Sequence, residues 1–143
     1  MKYLFLSLFL VACSFVLGPV GSTHEHADFT VYINNERINF ALPGYMLKSD
    51  YVHLENMGGD KIHKHATGVT LGYFFKTIGV EISSECITIE KKEFCNSNEK
   101  SLRFYINGIK DDSALEHEIR DGDVYIISYG TAEEAFEQLS QIV

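Results

Sequence analysis

The chain has no tryptophan, two prolines (Pro19 and Pro43) and three cysteines. No Cys-x-x-Cys pair occurs, which excludes thiol–disulfide exchange of the thioredoxin kind. After residue 23 there is no repeat, no low-complexity stretch and no Pro- or Gly/Ser-rich linker, so nothing splits the chain into separate units. A Gly-rich phosphate loop, a His-Glu-x-x-His helix and a serine or cysteine nucleophile elbow are all missing, and the chemistries they carry go with them. Positive charge is scarce: twelve Lys and Arg stand against twenty Asp and Glu, a net charge of −8. Such a chain repels nucleic acid and anionic membrane surfaces and attracts cations.

Long apolar runs are also missing, with one exception at the N-terminus. Lys2 precedes an apolar stretch from Tyr3 to Val20. A short basic segment, an apolar segment and then small residues is the pattern of a signal peptide, with Val20 and Ser22 at the −3 and −1 positions for cleavage after Ser22. The run is also long enough to be a membrane anchor. A third option is lipidation at Cys13, since Leu10-Val11-Ala12-Cys13 matches a lipobox. All three place the rest of the chain, residues 23–143, in a secreted, cell-surface or otherwise extracytoplasmic setting. About 120 residues then remain, enough for one domain with its own core.

Export gives the other two cysteines a meaning. In an oxidising compartment Cys86 and Cys95 are expected to form a disulfide, closing a short loop with Lys91-Lys92-Glu93 as the hairpin turn. A bridge there would contribute about 2–3 kcal/mol.

The pattern of apolar residues indicates α+β. From His26 to Ile33 the faces alternate: Ala27, Phe29, Val31 and Ile33 on one, His26, Asp28, Thr30 and Tyr32 on the other. Asn34-Asn35 is a hairpin turn, followed by a strand over Arg37–Phe40. Short strands are expected at Tyr51–Leu54 and Lys61–His65. Leu71, Phe74, Phe75 and Ile78 share one helical face, so residues 70–78 form a helix with Thr70 as N-cap and Gly79 as stop. Strands follow near Ile87–Ile89, at Leu102–Ile106 and over Val124–Tyr129, with turns at Asn107-Gly108 and Asp121-Gly122-Asp123. A last helix spans about 132–142.

Residues Thr67 to Gly130 resemble a β-grasp domain. The helix with Leu71 and Phe74-Phe75, the run Phe104-Tyr105-Ile106-Asn107-Gly108 and the Asp121-Gly122-Asp123 turn are similar to ubiquitin-like and cobalamin-carrier-like members of that fold. The resemblance implies a mixed sheet with one central helix, here about 70–78. The chain after residue 22 also resembles a set of small exported archaeal and bacterial proteins. The matching residues are His24-Glu25-His26-Ala27-Asp28-Phe29, Val31-Tyr32-Ile33-Asn34, Tyr51-Val52-His53-Leu54 and Ile62-His63-Lys64-His65-Ala66-Thr67-Gly68. This resemblance implies that the histidines form one recurrent arrangement, and it supplies no chemistry of its own.

The chemistry comes from the histidines. Five of the six lie between positions 24 and 65, as His24-Glu25-His26, His53 and His63-Lys64-His65. On a strand, residues i and i+2 face the same way, with Cβ atoms roughly 6.5 Å apart. Facing residues on adjacent strands are about 5 Å apart. Two His-x-His pairs on neighbouring strands would therefore turn four imidazoles toward one ion, with His53 as a fifth or alternate ligand. Asp28, two residues after His26, is a candidate supporting carboxylate. His117, in Glu116-His117-Glu118, reads as a solvated surface residue.

Nitrogen ligands with few thioethers (Met46 and Met57) suit Zn(II) or Cu(II) better than Cu(I). The expected function is an exported copper- or zinc-binding protein that buffers or delivers the ion, with a second exported protein as a further candidate partner. One alternative is a metal-free β-grasp-like interaction module. The other is a small metalloenzyme, for which Glu25 and Glu55 are the available bases. The cupin pattern fails, because Val69 and Thr70 stand where its glutamate would be.

Overall fold

Alternation along the first long strand sets the architecture. The computed structural model describes residues 16–55 and 58–141. Most of the expected export segment, including the Leu10–Cys13 lipobox, and also Met57 lie outside these residues. Strand β1 runs from Glu25 to Ile33, with Ala27, Phe29, Val31 and Ile33 buried as the pattern requires. Asn34 and Asn35 both take positive φ, 51° and 67°, and reverse the chain into β2, Glu36–Arg37. That strand is shorter than the expected Arg37–Phe40. The chain leaves the sheet at Asn39, whose side chain accepts the Ala41 N–H, and Phe40 turns into the core at 2% exposure. Gly59, at φ 65°, lies against this stretch: a Cβ there would come within 2.4 Å of the Phe40 carbonyl carbon.

Strands β3 (Val52–His53) and β4 (Lys61–Lys64) come next, then helix α1 (Leu71–Thr77). The Thr70 hydroxyl accepts the Tyr73 N–H, and Gly79 at φ 76° follows the last turn. The cap and the stop expected from the sequence are thus both used. Strands β5 (Glu81–Ile82), β6 (Cys86–Ile89) and β7 (Lys92–Cys95) form a separate three-stranded sheet. Its turn is Glu90-Lys91, both at positive φ, one residue earlier than Lys91-Lys92-Glu93. A two-residue turn pairs Ile89 with Lys92 and so brings Cys86 opposite Cys95, where the disulfide forms with an S–S length of 2.08 Å. Strands β8 (Ser101–Ile106), β9 (Ile109–Lys110) and β10 (Val124–Gly130) and helix α2 (Ala132–Ser140) complete the chain. Thr131 and Glu134 form a reciprocal capping box at the start of α2. No helix among the described residues is long and apolar enough to cross a membrane.

The fold is α+β. The main sheet has the order β3-β4-β1-β10-β8-β9, with β2 also on β1. Strands β1 and β10 are parallel neighbours in its middle, and the other pairings are antiparallel. The central parallel pair, its antiparallel neighbours and a helix across one face make the mixed sheet with one central helix that the resemblance implied. The unit does not close within Thr67–Gly130, however. Its central strand needs β1 as partner, so the sheet draws in Glu25–Ile33 as well. Helix α1 packs Phe74 and Phe75 on Phe29, with ring centroids 5.1 and 6.0 Å apart, and Phe40 closes the group at 5.2 Å from Phe29. On the opposite face, Ala135 of α2 packs with Tyr105 and Ile126, and Tyr32 and Leu139 border them.

The turn before β10 carries a buried carboxylate. Asp123, 7% exposed, accepts hydrogen bonds from the Tyr125 hydroxyl (2.7 Å), the Arg120 N–H (3.0 Å), His117 Nε2 (3.0 Å) and the Asn107 amide (3.1 Å). His117 is therefore not the solvated residue expected from its charged neighbours, since its side chain is only 23% exposed. Burial alone would raise the Asp123 carboxyl, but these donors outweigh it and hold it below its ordinary value. A depressed carboxyl stabilises the fold above the pKa of the unfolded chain, and that stability is lost as pH falls through the folded value. Asp123→Asn should lower unfolding stability at pH 7 by about 2 kcal/mol. The gap from wild type should narrow in urea titrations run at successively lower pH, below the ordinary carboxyl range. A gap that does not change with pH would mean that the charge is unimportant there.

Candidate metal centre

The histidines converge because two strand registers line up. Antiparallel pairing of β1 with β4 sets His26 opposite His63 and Glu25 opposite Lys64. Pairing of β3 with β4 sets His53 opposite the same His63. His24 precedes β1 and His65 follows β4, each on the face of its i+2 partner. The Gly21 N–H donates to the His65 carbonyl at 2.7 Å and ties that end down.

The five imidazoles close a ring. Centroids are 4.9 Å apart for His24–His26, 4.5 Å for His26–His63, 6.1 Å for His63–His53, 4.9 Å for His53–His65 and 4.8 Å for His65–His24. His24 is exposed at one side and His63 is buried at the other. The His24 and His26 Nε2 atoms are 3.2 Å apart. His24, His26 and His63 each offer a ligand nitrogen within 4.8 Å of the others, so this group could hold one metal ion.

Carboxylates border the ring. Glu55 faces His63 Nδ1 at 3.1 Å and His53 Nε2 at 3.3 Å. Asp121 accepts the His26 N–H at 2.9 Å, and its oxygen is 3.9 Å from His26 Nδ1. Asp28 does not join them, because its carboxylate is taken by Lys61 at 2.5 Å. Glu55 follows His53 at i+2, the same spacing that made the histidine pairs legible. Asp121 is distant in sequence and had no such signal.

The electrostatics suit a cation. Burial holds His63 below the ordinary imidazole value despite the opposing pull of Glu55. Burial, then the neighbouring imidazoles, lowers His65 as well. His63 holds Glu55 below the ordinary carboxyl value. At His63 and His65 burial thus favours the unprotonated nitrogen, and at Glu55 the neighbouring imidazole favours the ionised carboxylate, the states a metal needs.

A buried cation holds the underside. Lys64 is 1% exposed, on the face of β4 opposite the histidines. Its ammonium donates to Glu25 (2.5 Å), the Ile119 carbonyl (2.6 Å) and Glu118 (3.0 Å). Glu118 also accepts the Gly68 N–H at 2.6 Å. That bond, followed by the Lys64 ammonium, depresses its carboxyl. Each lysine proton is matched, as a buried ammonium demands.

Comparison with protein-family models, with curated proteins and with solved structures returns no match.

Lys64→Met should lower unfolding stability by about 2 kcal/mol, because it leaves two partly exposed carboxylates without their cation. Adding Glu25→Gln and Glu118→Gln should restore much of the loss. Urea unfolding of the single and triple variants checks this. A single-variant loss below about 1 kcal/mol would reduce the clamp to the value of a surface pair.

Proposed function

We propose that the protein is an exported transition-metal-binding protein that holds Cu(II) or Zn(II) for buffering or delivery, through the imidazoles of both His-x-His pairs. The observation that supports this most directly is the 3.2 Å separation of the His24 and His26 Nε2 atoms, with a His63 ligand nitrogen in reach of both. Two nitrogens bound to one tetrahedral ion at about 2.0 Å are roughly 3.3 Å apart, so the pair already has the spacing of two ligands. His65 and His53 border the same space. The ligands are imidazole and carboxylate without thiolate, which favours Zn(II) and Cu(II) over Cu(I). The Cys86–Cys95 disulfide is compatible with an oxidising compartment, as export requires.

The test is metal titration of the full chain, purified without a histidine tag, against Zn(II) and Cu(II). At least one tight equivalent per chain is expected. His26→Ala with His63→Ala should remove an equivalent while circular dichroism stays native. Full affinity in that double variant would sink the shared histidine site, and no stoichiometric metal in wild type would favour a metal-free interaction module.

A further inference from the structure

Beyond the three-histidine group, the far side of the ring holds a second arrangement of ligand atoms. His53 Nδ1 is 2.8 Å from the Ser49 carbonyl oxygen. A carbonyl only accepts, so Nδ1 carries a proton and donates it. In the neutral ring Nε2 is then an acceptor. Yet it faces a second acceptor, Glu55 Oε2, at 3.3 Å. Two lone pairs at that distance repel unless a positive charge lies between them or on the ring.

A metal ion is one charge that fits this spacing. The edge of a tetrahedron with bonds of about 2.0–2.1 Å to nitrogen and oxygen is roughly 3.3 Å. His53 and Glu55 match it, as His24 and His26 do on the near side. The carbonyl behind His53 Nδ1 is also the usual support for an imidazole that ligates through Nε2. His65 also borders this side, its centroid 4.9 Å from that of His53 and 4.8 Å from that of His24. One ion takes about four ligands, fewer than the five imidazoles and one carboxylate gathered here.

The geometry points to a two-ion centre. One divalent transition-metal ion is held by His24, His26 and His63, and a second by His53, His65 and Glu55. Glu55 joins the two sides, because its other oxygen is 3.1 Å from His63 Nδ1. This inference rests on the metal-binding function proposed above and adds a second position to it.

The experiment measures zinc per chain after saturation and dialysis of the full, untagged protein. Wild type should retain two equivalents. Glu55→Gln, which keeps size and removes charge, should retain one, and so should His24→Ala from the other side. His53→Gln is a second variant for the far position should Glu55→Gln fail to fold, with circular dichroism as the check. Loaded with Cu(II) instead, wild type should show the broadened resonance of two coupled ions, and Glu55→Gln the sharp signal of one. A wild type that retains one equivalent would overturn the second position and leave His53–Glu55 as an imidazolium–carboxylate pair, with the first site intact. Two equivalents retained in Glu55→Gln would overturn the assignment of Glu55. No retained metal in wild type would overturn the first site as well.

Discussion

The buried Lys64 ammonium is the constraint on which the histidine ring depends. It ties three parts of the chain together: Glu25 on β1, its own strand β4, and the Glu118–Ile119 stretch before β10. A lysine in that position tolerates no slip. Moving β4 by one residue against β1 would bring Lys64 to the histidine face and push His63 into the core. Two carboxylates would then be left beneath the sheet without a cation. Losing all three partners of a buried ammonium costs more than the few tenths to about one kcal/mol that separate ordinary cross-strand pairs, even though Glu25 and Glu118 stay partly exposed. The clamp therefore selects the register that places His26 opposite His63.

Strand alternation lets one pair of peptide segments serve two purposes. In His24-Glu25-His26 and His63-Lys64-His65 the outer residues face the ring and the middle ones face inward. The same two-residue period that gathers the imidazoles thus supplies the ion pair that fixes them. The apolar core takes over from there. Ala27 follows Glu25 on the inner face, and Phe29 follows Ala27, where α1 and Phe40 enclose it. The site grows out of the packed end of β1, not out of a loop, so its geometry inherits the rigidity of the central strand pair.

What the sequence made legible was local and periodic. The His-x-His phase, the alternation of β1, the Asn34-Asn35 reversal and the Thr70 cap each depend on residues within a few positions of one another. What it hid was either long-range or internal. Strand lysines usually face water, so nothing local in the sequence marks Lys64 as buried. Only the distant Glu118 and Ile119 make its burial possible. His117 misled for the same reason in reverse: charged neighbours suggested solvent, while Asp123 six residues on draws it inward. Asp28 shares a face with His26, yet Lys61 across the strand pair claims it first. Glu55 was within reach of the i+2 argument, but its role needed the register of β3 on β4 to bring it to His63 as well.

The division between clamp and ring bears on what kind of metal protein this would be. A structural zinc site contributes the folding free energy of its domain, so the unloaded chain collapses or unfolds. Here the folding determinants lie elsewhere: the Phe29–Phe40–Phe74–Phe75 cluster, the Lys64 ion network and the Cys86–Cys95 bridge. The imidazoles stand on the open face, from exposed His24 to buried His63. With its folding determinants outside the ring, the scaffold would gain and lose an ion without refolding. Graded exposure gives an incoming ion a solvent-facing first ligand and a sheltered final one. Both features suit exchange better than permanent retention, which is what the proposed buffering or delivery would need.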